Sequence, residues 1–169
     1  KLILDFVPNH LALDNLWLKK YPERFVQGSP ELLKAHPDRF FTDPKNPDQI
    51  WAHAFDPFYG GWEDTIQVDF RSLKTRQAMA RTLMDIAGLC DGVRCDMAML
   101  LVREKFLELW GGEFDPPDAE FWEETIPRVK EKYPHFLFLA EVYWLGMDYI
   151  LQQQGFDYCY DKKLYDRME

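Results

Sequence analysis

Apolar residues fall into two patterns along this chain. Short unbroken runs at residues 2–7, 89–96, 136–141 and 156–160 have the length and the Leu, Ile, Phe and Val content of strands covered on both faces. Between them the apolar positions recur at helical spacing. After Ser72, a plausible N-cap, Met79, Leu83, Ile86 and Ala87 mark a helix that Gly88 ends. Leu101, Lys105, Leu109 and Trp110 mark a second, broken by GGEFDPPD. A third runs from Asp118 through Phe121, Trp122, Ile126 and Val129, with Pro127 placed to kink it or reset its first turn. A short one covers residues 147–154 and stops at Gly155. This βαβα order predicts parallel strands and an α/β fold. Residues 10–70 break the rhythm: their prolines and turn signals, DPKNPD and YGG among them, predict a long irregular insertion, which is uncommon unless it is functional.

Three of the strand-like runs end abruptly in ionisable residues: LDFVPNH, DGVRCDM and LAEVYW. Side chains alternate along a strand, so Arg94 and Asp96 share one face, Asp5 goes with Ile3 and Val7, and Glu141 with Leu137 and Leu139. Three carboxylates at the carboxyl ends of three buried strands is the arrangement by which a parallel α/β barrel gathers its catalytic groups. Singly each has a bland explanation. An Arg-x-Asp is usually a structural ion pair, Asp5 and Asn9 flank a turn proline, and a lone His10 is usually a satisfied polar side chain. Together, each at a strand end, they point to a site, because buried charge is costly.

Two carboxylates facing a scissile bond are the equipment of glycoside hydrolysis. Asp96 and Glu141 on neighbouring strands allow the separation of about 5–5.5 Å that a retaining mechanism uses. Arg94 is expected to hold Asp96 ionised, and the apolar surroundings of Glu141 to raise its pKa toward that of a general acid.

Composition narrows the partners. A formal charge of −9 repels phosphate backbones, and no apolar stretch approaches the ~20 residues of a membrane span, so neither nucleic acid nor membrane is expected. Cys90, Cys95 and Cys159 form no CxxC pair and read as reduced core thiols, which favours a cytoplasmic setting.

The same strings resemble the conserved regions of the alpha-amylase family of retaining α-glycosidases and transglycosylases. LDFVPNH is similar to the region closing the family's third barrel strand, DGVRCDM to that of the fourth and AEVYW to that of the fifth, while IQVDF at residues 66–70 resembles a further short region. The resemblance implies a partial TIM (β/α)8 barrel, strands three to six, with residues 10–70 as a subdomain inserted after strand three. It implies Asp96 as nucleophile and Glu141 as acid/base. Asp5, His10 and Arg94 would bind the reacting sugar and Tyr143 would border the leaving group. Aromatics of the insertion, Trp51, Phe55, Phe58, Tyr59 and Trp62, offer flat faces to sugars. Asn9 and Asp69 match positions that help hold a structural calcium ion in some members, although two ligands are short of the six to eight that calcium takes. No other cofactor is implied.

The chain departs from the family in two places. Met99 and Leu100 stand where starch-acting members carry Lys-His, and no Asn-His-Asp string, which holds the family's third catalytic aspartate, occurs among the 169 residues. A complete barrel typically takes about 250 residues and the chain opens inside a strand-like run. An internal segment is therefore expected, inactive by itself and inclined to self-associate through unpaired strand edges. The expected reaction is retaining cleavage of α-glucosidic bonds in an α-glucan or oligosaccharide. Glycosyl transfer by the same intermediate and a non-catalytic, amylase-like binding protein are the alternatives.

Overall fold

The computed structural model describes residues 1–168, with the backbone alone described for Lys162, Lys163 and Tyr165. In chain order the elements are β1 (Ile3–Phe6), β2 (His10–Ala12), α1 (Leu16–Lys20), α2 (Pro30–Ala35), β3 (Phe40–Asp43), β4 (Asn46–Ala52), β5 (Ala54–Asp56), β6 (Gly60–Trp62) and β7 (Thr65–Gln67). They continue with α3 (Leu73–Ala87), β8 (Gly92–Cys95), α4 (Arg103–Trp110), α5 (Phe121–Lys132), β9 (Leu137–Ala140), α6 (Met147–Gln153), β10 (Tyr158–Cys159) and α7 (Lys162–Met168). Two compact units result, one of Lys1–Pro8 with Phe70–Glu169 and one of Asn9–Asp69.

The first unit is built on a four-stranded sheet in the order β1-β8-β9-β10, every neighbouring pair parallel. The register aligns Phe6 with Cys95 and Cys95 with Ala140, so a single row crosses the sheet. Phe6, Val93, Cys95, Phe138 and Ala140 are all buried on one face. An aromatic cluster accompanies them: Trp122, fully buried, meets Phe6, Phe121 and Phe156 edge to face with centroids 6.4, 4.8 and 4.9 Å apart. Gly92 is glycine for want of space. A Cβ there would lie 2.6 Å from the carbonyl oxygen of Leu137 on the next strand.

The helices start and stop where the sequence places their signals. Ser72 Oγ accepts from the Thr75 amide at the start of α3, and Gly88 closes that helix. Pro127, expected to kink or restart its helix, sits inside α5 without ending it, because Trp122, Ile126 and Val129 are buried on one face across the position. The thiols of Cys90, Cys95 and Cys159 are free. Among the described residues no helix is long and apolar enough to cross a membrane.

The second unit differs from the irregular insertion expected. It contains three antiparallel pairs, β2 with β7, β3 with β4 and β5 with β6. Its core includes Phe25, Val26, Trp51, Ala52, Ala54, Ile66 and Val68. Most of these strands have three or four residues, too few for alternation to show in sequence, and their pairing is a tertiary choice.

Candidate active site

The parallel ladder continues one residue past the ends of its strands, and this places the chemistry. The amides of Asp96, Glu141 and Tyr160 donate to the carbonyls of Phe6, Cys95 and Ala140 at 2.9, 3.0 and 3.0 Å. Asp96, Glu141 and Tyr160 therefore form a row, two residues beyond the row that pairs Asp5 with Arg94 and Arg94 with Leu139. Period-two alternation gives both rows the same face, opposite the aromatic cluster.

Arg94 is the hub. Its Nη1 donates to Asp5 Oδ1 and to Asp96 Oδ1, both at 2.8 Å, and its Nη2 lies 2.5 Å from Glu141 Oε1. Nε reaches the Tyr160 hydroxyl at 3.3 Å. Glu141 also accepts from the Tyr143 hydroxyl at 2.5 Å and from the Met97 amide at 3.0 Å. Met97 follows Asp96 directly and is the only non-glycine residue at positive φ among those described, +45°, a conformation that costs about 1–3 kcal/mol. That turn leads into a short 3₁₀ segment, Ala98–Leu101, which Trp122 Nε1 holds by donating to the Ala98 carbonyl at 3.0 Å.

The proton distribution reverses the expectation. Burial and the neighbouring Glu141 charge push the Asp96 carboxyl up to about 6, overcoming the opposing pull of Arg94. Burial also pushes Glu141 up, but the Tyr143 hydroxyl, the Met97 amide and Arg94 together hold it below the usual carboxylate range. The two carboxyls act on each other's ionisation, and the proton resides more readily on Asp96 than on Glu141. Glu141 is the anion here since it receives more donors. Burial and the same carboxylate push the Tyr143 hydroxyl up.

Asp5, Arg94, Asp96, Glu141 and Tyr143 are thus brought together. Tyr160 joins them unpredicted, although its position at the end of an apolar strand is the signal that singled out the others. Beside Tyr143 a cavity of about 210 Å³ is lined by Trp144, Leu145, Asp148, Tyr160 and Asp161. Met99 and Leu100, standing where Lys-His was expected to contact sugar, are buried.

His10, Asn9 and Asp69 belong to the second unit. The His10 ring packs against Trp62 with centroids 5.3 Å apart. Asn9 is buried and its oxygens meet a neighbouring side chain. Gln67 Nε2 reaches Asn9 O, Asn9 Oδ1 and Val68 O at 2.9, 3.1 and 3.0 Å. Among the described residues no group of three or more His, Cys, Asp or Glu is placed to hold a metal. Of the aromatics offered to sugars, Trp51 and Phe55 are buried while Phe58 and Tyr59 are exposed.

Neither a protein-family model nor a curated protein matches the sequence. Solved structures do. An alpha-amylase from Lactobacillus plantarum superposes on 99% of the chain with a TM-score of 0.61 at 24% identity. The fold is that of alpha-amylases. Two further amylase-type neighbours are a trehalose-6-phosphate hydrolase from Bacillus licheniformis, with TM-score 0.60 at 15% identity over 94% of the chain, and a mutant isomaltulose synthase from Erwinia rhapontici with bound D-glucose, with 0.67 at 14% over 95%. The amylase-fold chain spans about a third of the length of these structures, 34%, 33% and 33% respectively.

Proposed function

We propose that this amylase-fold chain holds the catalytic pair of an enzyme that cleaves α-glucosidic bonds with retention, and that its parallel sheet forms strands three to six of a barrel. The observation that supports this most strongly is the placement of Asp96 and Glu141 on one row of the sheet, both held by Arg94. Asp96 acts as nucleophile and Glu141 as acid/base. The pair carries one proton, which resides on Glu141 when the glycosidic bond begins to break.

The Asp96 carboxylate then attacks the anomeric carbon while the glycosidic bond breaks and Glu141 gives its proton to the departing oxygen. A glycosyl ester forms on Asp96. Water attacks that ester, Glu141 takes the water's proton, and sugar leaves with its anomeric configuration retained. Arg94 and Asp5 orient the ring. Tyr143 steadies the Glu141 anion between the two steps, and the cavity beside it receives the leaving group. Transfer to a second sugar is the alternative fate of the ester, favoured by the aromatic walls Trp144 and Tyr160 around that cavity.

Trapping tests the assignment. The intact protein treated with 5-fluoro-α-glucosyl fluoride should gain one fluoroglucosyl mass on the peptide containing Asp96. Label elsewhere, or full turnover by Asp96→Asn, would refute it.

A further inference from the structure

Within the Asn9–Asp69 unit lies a cavity of about 540 Å³, inside the range of about 300–1,000 Å³ typical of small-molecule sites. Its walls include Phe41, Trp51 and Asp43 from the β3–β4 hairpin and Leu13, Leu16 and Leu18 from the segment leading into and through α1. Phe41 and Trp51 are direct cross-strand partners, so they project side by side from one face of the hairpin. Asp43, two residues beyond Phe41, follows on that face. Its Oδ2 accepts from Trp51 Nε1 at 3.2 Å and its Oδ1 from the Lys45 amide at 2.8 Å. Those donors, the Lys45 amide first, hold its carboxyl below the usual range. The carboxylate is therefore fixed in place with lone pairs to spare.

Two features say what the cavity suits. One face of the Phe41 ring is stacked on His53 with centroids 4.1 Å apart, which makes the ring a rigid plate. A rigid aromatic beside a fixed acceptor matches a pyranose, which offers a face of C–H bonds edged with hydroxyl donors. The charged groups at the walls also balance: Asp14 and Asp43 against Lys19 and Lys45. A site without net charge gives no advantage to phosphate or to a peptide of either sign and leaves uncharged polyols as the ligand class.

We propose that this unit binds a neutral oligosaccharide in a site built wholly from its own residues, with Phe41 as platform and Asp43 as hydroxyl acceptor. The choice of an α-glucan as probe rests on the proposed function. The site itself does not.

Hydrogen–deuterium exchange of the intact Asp96→Asn protein, with and without maltotriose, tests it. Added maltotriose should slow exchange in residues 13–19 and 40–51. Phe41→Ala and the near-isosteric Asp43→Asn should each weaken that protection at least tenfold in sugar concentration, leaving any protection at residues 139–145 unchanged. With Asp96 intact, Phe41→Ala should hydrolyse 4-nitrophenyl α-glucoside within twofold of the parent. Protection confined to residues 139–145 would overturn the proposal and leave the catalytic reading standing. Protection confined to 13–19 and 40–51 would do the reverse. Equal protection by inorganic phosphate, or variants that keep full protection, would also overturn it.

Discussion

Glu141 accepts a hydrogen bond from the backbone amide of Met97, the residue immediately after Asp96. The turn that follows one carboxylate thus steadies the other, and the two strand ends are tied by main chain as well as by Arg94. A backbone donor survives every substitution except proline. The left-handed conformation of Met97 is the cost of aiming it.

The pH dependence follows from the shared proton. Catalysis needs one proton on the pair, and the pair loses its last near the Asp96 value of about 6. The kcat/KM of the intact protein should therefore fall as pH rises through about 6. Tyr143→Phe removes a donor to the Glu141 anion, raises the pair's affinity for the proton and should move that limb to higher pH. A pH–rate profile of the two proteins decides the matter; a limb that stays fixed would show that Tyr143 does not act on Glu141.

Stability should respond with the same sign. A carboxyl whose folded pKa is raised from 3.8 to about 6 stabilises the fold fully below the lower value and loses that contribution as pH rises through the upper one. Asp96→Asn cannot ionise. Thermal melts should show it gaining stability relative to the parent between pH 4 and pH 7.

Arg94→Gln leaves Asp5, Asp96 and Glu141 facing one another without their common cation. We expect kcat/KM to fall by about 10²–10³, as for loss of a preorganised electrostatic group. The variant should also melt lower at pH 8 than at pH 5, because protonation relieves the repulsion.

Trp122 supports the site from behind. Trp122→Ala empties a fully buried volume and should cost about 3–5 kcal/mol in denaturant unfolding. Trp122→Phe should cost less stability but reduce kcat, since the Ala98 carbonyl loses its donor.

Gly92→Ala should cost about 1–3 kcal/mol, because its Cβ meets backbone rather than a movable side chain. Urea unfolding against the parent measures it.

The parallel sheet was legible because its strands are unbroken apolar runs, and α3 because both of its ends carry cap residues. The shared face of Asp5, Arg94, Asp96 and Glu141 followed from counting by twos. Pairing within residues 9–69 was not legible, since three-residue strands have no period and their partners lie far along the chain, as His10 does from Gln67. Proton placement was hidden for another reason. It depends on the Tyr143 hydroxyl and the Met97 amide, and a backbone donor has no letter in the sequence. Asn9 and Asp69 read as cation ligands because both bear oxygen, and the contact of the Gln67 amide with the Asn9 oxygens lies too far along the chain to be seen in that reading.

The ladder that runs past Cys95 and Ala140 determines which kinds of inherited change this protein withstands. Substitutions leave the alternation of the strands intact, because the main chain still keeps count. A single-residue deletion between Gly92 and Asp96 is another matter. It would turn Asp96 toward Trp122 and Phe138 and present Cys95 on the face that carries Arg94, so insertions and deletions in these few positions should be far more damaging than any point substitution outside the charged row.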